Sequence, residues 1–185
     1  MILRIIQYGD PVLREKGAKV DPVTSEHRKM VRDMLETMRE NNGLGLAAQQ
    51  IGRAIQLAVI DVTGSERPSQ LFVGVREVPV ESMMPLILIN PVLTRPRGEE
   101  RGLEGCLSFP GLALEILRAH EVTVEAADLD GKARRFTCTG LLARAIQHEA
   151  DHLNGVLFID RTDPVQIEPL KPELEKLQKA NQRKR

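Results

Sequence analysis

The chain has 185 residues, long enough for one substantial core and for one domain rather than two. Lysine plus arginine balances aspartate plus glutamate at 26 each, so no global field draws the body to nucleic acid or to an anionic membrane. Aromatics are scarce (no Trp, one Tyr, four Phe), which leaves the core to Leu, Ile, Val, Ala and Met.

In chain order, Met1-Ile2-Leu3-Arg4-Ile5-Ile6 is too short and too interrupted for the apolar region of a signal peptide. Gly9-Asp10-Pro11-Val12-Leu13-Arg14 then reads as a turn into a short ordered segment. Thr24 or Ser25 caps a helix whose apolar face is Met30, Val31, Met34, Leu35 and Met38, stopping at Asn41-Asn42-Gly43. The methionines read as core filler. In 43–52, glycines alternate with apolar residues ahead of the pair Gln49-Gln50. Taken alone, that stretch reads as a tight turn entering a buried strand, in preference to a cleft wall with a glutamine amide aimed inward.

The segment 56–61 reads as a buried strand, 63–70 as a polar loop and 71–80 as a short strand or hairpin. A buried strand over 86–89 is expected to stop at Asn90-Pro91, and 96–102 to form a charged turn. The longest apolar run, 83–89 with Pro85 inside it, is far too short to span a bilayer. Segments 122–126 and 133–138, joined across Asp130-Gly131, make a hairpin. A helix over about 140–154 follows, with Thr139 as N-cap and Gly155 as stop, then a strand-like 156–159. From Pro164 the chain becomes charged and then helical from Glu173 to about Gln182. Its last fifteen residues carry Lys171, Lys176, Lys179, Arg183, Lys184 and Arg185 against Glu173 and Glu175, an excess of six minus two. A solvated tail is the simplest reading of it. The expected organisation is a catalytic unit over 1–163 and a helical tail over 164–185. Two cysteines make no disulfide framework, and the cytoplasm is the expected compartment.

The chemistry centres on Gln147-His148-Glu149-Ala150-Asp151-His152. Histidines four apart on a helix share one side and can hold one metal ion, with Glu149 in reach of a water bound to it. A catalytic site of this kind needs a third protein ligand and an open position. A third histidine six residues beyond His152 is ruled out because Phe158 stands there. A later glutamate (Glu168, Glu173 or Glu175) would come from a proline-broken, charged tail. A cysteine remains. Cys138 shares a strand face with Phe136 and is explained by packing. Cys106, in Leu103-Glu104-Gly105-Cys106-Leu107-Ser108-Phe109-Pro110-Gly111, sits where Gly105 and Pro110 favour irregular backbone, leaving amides free for an oxyanion. Cys106 is the better third ligand. An inert, closed site built from Cys106, Cys138, His148 and His152 would leave Glu149 and the stretch 43–50 unexplained.

With these residues in place the chain resembles the peptide deformylases. That family carries Gly-Φ-Gly-Φ-Ala-Ala-x-Gln, Glu-Gly-Cys-Φ-Ser and Gln-His-Glu-x-Asp-His, with Φ apolar, and all three stand here in order at 43–50, 104–108 and 147–152. The resemblance covers about residues 1–162; the stretch 63–84 looks longer than in compact members. It implies an α+β fold, with antiparallel sheets packed around a central metal-binding helix between an N-terminal helix and a charged C-terminal one. It also implies removal of the formyl group from the formyl-methionine of new proteins. Cys106, His148 and His152 would hold one divalent metal, natively Fe2+, with Zn2+, Ni2+ or Co2+ able to substitute. Glu149 would be the base, and the Gln50 amide with the Leu107 N–H would hold the oxyanion, which reverses the reading of Gln50 from its own surroundings. Gly45 would pair with the substrate backbone. Leu141, Ala145 and the stem of Arg144, with its charged head in water, would form the methionine pocket. Glu104 and Arg118 would brace the cysteine loop. Nascent formyl-methionyl peptides are the expected partners, and the basic tail is a candidate for ribosome contact.

Overall fold

A computed structural model describes residues 1–182. In chain order it contains α1 (Ser25–Glu40), β1 (Gly45–Ala47), β2 (Leu57–Ile60), β3 (Leu71–Val73), β4 (Arg76–Val78) and β5 (Leu86–Arg97). There follow β6 (Glu100–Gly105), β7 (Ala113–Arg118), β8 (Glu121–Ala127), β9 (Ala133–Thr139), α2 (Gly140–Leu153), the four-residue α3 (Pro164–Ile167) and α4 (Lys171–Gln182). Seven strands form one antiparallel sheet in the order β1-β2-β5-β8-β9-β3-β4, and β6 pairs with β7 as a separate hairpin. This is the α+β arrangement expected, with β1 left as an edge strand.

Local chemistry accounts for the helices. Thr24 caps α1 together with His27, and Val31, Met34 and Met38 bury against Leu46, Leu57, Val59 and Ile89. The methionine stripe is core. Helix α2 leaves β9 directly at Thr139 and buries Leu141, Leu142, Ala143 and Ile146 against Val122, Val124, Phe136 and Cys138 of the sheet. Each such Leu or Ile stabilises the fold by about 1.5–3 kcal/mol relative to leaving it exposed. The helix ends at Gly155, whose φ of +72° suits glycine; a Cβ there would also strike the Arg14 carbonyl.

Several expectations are corrected. Asn90-Pro91 does not stop β5: the strand runs on to Arg97 through a register shift between Ile89 and Val92. Asn90, at φ +51°, uses its side chain to accept from the Val20 N–H and donate to the Val20 carbonyl, both at 2.9 Å. Strands occupy most of 96–102, with only Gly98 and Glu99 between β5 and β6. The backbone is regular up to Gly105, and β7 is a strand beyond those expected. The segment 156–159 is not a strand; Phe158–Arg161 is a 3-10 turn. The tail is not simply solvated: Leu174 is buried in a cluster with Leu13, Phe109 and Phe158, Leu177 packs on it, and Asn181 donates to the Gln7 carbonyl at 3.3 Å. Arg183, Lys184 and Arg185 of the basic run lie outside the described residues. Among the described residues no helix is long and apolar enough to cross a membrane.

Candidate metal centre

His148 and His152 stand one turn apart on α2, their ring centroids 5.0 Å from each other. The ladder ends at Gly105, and the turn that follows is closed by the Phe109 N–H donating to the Cys106 carbonyl at 2.8 Å. Phe109 is fully buried, stacked on Tyr8 at 4.9 Å and edge-on to Phe158 at 5.0 Å, and so pins the turn to the core. Phe158, in the position a protease would give to a third histidine, is thus part of this anchor. Cys106 Sγ lies 3.2 Å from His152 Nε2, and one ligand atom from each of Cys106, His148 and His152 falls within 4.8 Å of the others. One thiol sulfur and two imidazole nitrogens this close suit a soft or borderline divalent ion. Cys138 stands apart, buried in the sheet core, where burial pushes its thiol up to about 12.

Glu149 lies beside the histidines, and its Oε2 is buried with no hydrogen-bond partner among the described residues. Burial pushes its carboxyl up to about 7. Gly45 makes room for it, since a Cβ on Gly45 would collide with the Glu149 carboxylate. Gln50 accepts from the Ala47 N–H through Oε1 at 2.8 Å, which turns its Nε2 toward Cys106 Sγ at 3.5 Å and Ser108 Oγ at 3.3 Å. The Leu107 N–H meets no acceptor among the described residues. These groups share a cleft of about 540 Å³ with Gly45, Leu141, Ala145 and the Arg144 side chain on its walls.

A model of the polypeptide deformylase family matches residues 2–168. The chain belongs to this family. A peptide deformylase of Methylacidiphilum infernorum is 48% identical over 97% of this chain and 95% of its own length. One from Opitutus terrae is 46% identical over 88% and 86%. The crystal structure of peptide deformylase from Thermus thermophilus superposes with a TM-score of 0.82 at 37% identity, covering 97% of this chain and 99% of that one. The protein is therefore a metal-dependent hydrolase of the class that removes the formyl group from nascent formyl-methionyl chains and releases formate.

The outer residues refine what the motifs suggested. Glu104 accepts from His148 Nδ1 at 3.0 Å, so the Nε2 of that ring is left for a metal. It also accepts from Arg118 Nε at 2.9 Å and Nη2 at 3.0 Å, and the pair is buried, not a surface salt bridge. Burial opposes the charge on Glu104, but His148 and Arg118 outweigh it and hold the carboxyl down at about 2. Burial likewise opposes charge on His148, yet its bonds to Cys106 and Glu104 hold the ring above its usual pKa; in His152 burial dominates and keeps the ring neutral.

Arg144 overturns one expectation. Its side chain lines the cleft, but its head is not in water: Nη1 donates to Glu104 Oε1 and the Ile116 carbonyl, both at 2.9 Å, and Nη2 to the Glu100 carbonyl at 2.6 Å. The hairpin β6–β7 offers carbonyls and a carboxylate that outcompete solvent. Sequence reasoning also gave no role to Asp151, which is buried and bonded to Arg118. A signal existed. Arg144, His148 and Asp151 are spaced i, i+4, i+7 and so share one helical stripe.

Proposed function

We propose that Cys106, His148 and His152 hold one divalent ion, natively Fe2+ with Zn2+, Ni2+ or Co2+ as substitutes, and that Glu149 is the proton carrier of deformylation. The observation that carries this reading is the buried Glu149 Oε2, which has no hydrogen-bond partner among the described residues, beside three converging candidate ligand atoms. An ion held there supplies Lewis acidity, lowering the pKa of a water and polarising the formyl oxygen. Glu149 takes the proton of the attacking water and returns it to the departing amine nitrogen. A carboxyl near 7 suits both transfers at neutral pH. The Leu107 N–H and the Gln50 amide donate to the developing oxyanion, and losing one such donor costs about 3–4 kcal/mol of barrier.

The free edge of β1 pairs with an extended substrate at Gly45, which puts the peptide backbone against the cleft. Leu141, Ala145 and the stem of Arg144 receive the methionine side chain, and Glu104 with Arg118 holds His148 in place. Residues 1–163 form the catalytic unit and 164–185 a tail docked through Leu174. The reaction acts on new chains, which favours the cytoplasm. Lys176 and Lys179 stay largely exposed on α4 and favour contact with ribosomal RNA.

Glu149→Ala, loaded with metal, tests the assignment on a formyl-Met peptide. The expected result is full metal content with turnover lower by about 10²–10⁴-fold; an unchanged kcat refutes the role. Reversing Lys176 and Lys179 to Glu keeps the tail docked and is expected to weaken salt-sensitive ribosome pelleting. Equal binding by that variant removes the tail from the interface.

A further inference from the structure

The buried charges behind His148 extend further than the reaction requires. Glu104 is saturated by four donors: His148 Nδ1, Arg118 Nε and Nη2, and Arg144 Nη1. The remaining Arg118 nitrogen, Nη1, donates to Asp151 Oδ2 at 2.5 Å. Asp151 in turn accepts from Arg161 through Nε at 3.0 Å and Nη2 at 2.6 Å, a two-point grip on one carboxylate. His148, Glu104, Arg118, Asp151 and Arg161 thus form an unbroken run from a metal ligand to the surface, where the Arg161 side chain is 48% exposed.

Each link restricts the next. Arg118 is a rigid fork set between two carboxylates, so it can hold Glu104 in one orientation only while Asp151 keeps its own place. Asp151 is buried, sits one residue before the ligand His152, and has no part in the proton transfers. Its two oxygens are oriented by Arg161, which projects from the 3-10 turn Phe158–Arg161, outside all three motifs. That turn is itself anchored, by Phe158 in the core and by Asp160, which pairs with Arg14 and accepts from the Leu157 N–H. The outer end of the run is therefore held by the fold rather than by solvent.

We propose that Arg161 is a positioning residue for the metal centre. By gripping Asp151 it fixes Arg118, then Glu104, and through Glu104 the tautomer and ring orientation of His148. The inference rests on the reading of Cys106, His148 and His152 as ligands.

The test uses wild type, Arg161→Met, Arg161→Lys and Asp151→Asn, each loaded with Co2+. Four readouts are taken: the visible Co2+ spectrum, the rate of Co2+ release to a chelator, Tm, and kcat against KM on a formyl-Met peptide. Asp151→Asn is expected to release Co2+ on the order of 10-fold faster, at the low end of outer-shell effects, and Arg161→Met about 3-fold faster because Arg118 still holds Asp151. The spectrum shifts and kcat falls while KM stays, and Arg161→Lys recovers part of both through its single contact. Release rate and spectrum identical to wild type in Arg161→Met overturn the proposal, and a lower Tm alone would make Arg161 an anchor of its turn and nothing more. Arg161 is half exposed, so its variants decide the matter even if Asp151→Asn fails to fold. Cys106→Ser that keeps its Co2+ would instead refute the ligand reading, and the proposal with it.

Discussion

In the β8–β9 hairpin the inward positions Val122, Val124, Phe136 and Cys138 are buried among apolar neighbours, while Glu125 and Arg135 pair across the outer face. In β6–β7 the buried set includes Glu104 and Arg118, and Leu103 and Leu117 face solvent at 62% and 39% exposure. The first hairpin follows the ordinary alternation of sheet and core. The second is partly inverted, because its inner face must carry the charges that hold His148. Burying ions is costly unless each is paired, and here each has its partner within 3.0 Å. One hairpin builds the core, and the other uses part of its stability to orient His148.

The two cysteines give the sharpest way to break this comparison. Cys106→Ser, in the turn of the inverted hairpin, is expected to lose the metal and with it turnover, while Cys138→Ser on β9 keeps both; metal analysis and a deformylation assay on the same samples check it. Alkylation of metal-stripped protein at mildly alkaline pH should mark Cys106 and spare Cys138, whose thiol stays protonated up to about 12. Labelling of Cys138 at the rate of Cys106 would contradict its burial.

A second comparison removes one buried group from each hairpin. Glu104→Ala leaves Arg118 and Arg144 without their shared carboxylate and is expected to cost about 3–5 kcal/mol together with metal affinity. Phe136→Ala is expected to cost a similar amount, about 3–5 kcal/mol, through its cavity, but with metal retained. Denaturant unfolding beside metal titration separates the two; metal loss in both would deny that the hairpins differ in role. The smallest effect belongs to the exposed leucine: Leu117→Ser should change stability by no more than about 0.5 kcal/mol.

Much of the site was legible because its motifs are local. The spacing of His148 and His152 and the turn at Cys106 follow from short-range rules, whereas the stretch 43–52 reads locally as a turn into a buried strand and only the fold brings Gly45 against the Glu149 carboxylate. Strand β7 is hard to recognise locally because Arg118 sits at an inward position where alternation calls for an apolar residue. The extension of β5 is hidden for the opposite reason: Asn90-Pro91 looks like a terminus, and only Val20, seventy residues away in sequence, supplies the partner that lets the strand continue.

The sequence by itself determined the family, the grouping of Cys106, His148 and His152 with Glu149 beside them, and the helices that bury apolar stripes, since periodicity and motif spacing record which side chains share a face. Tertiary structure alone decided where the charged heads of Arg144 and Asp151 lie, that Arg161 grips Asp151, and that α4 docks through Leu174. A buried charge is tolerated only where groups from distant segments meet it, and no local pattern records that meeting.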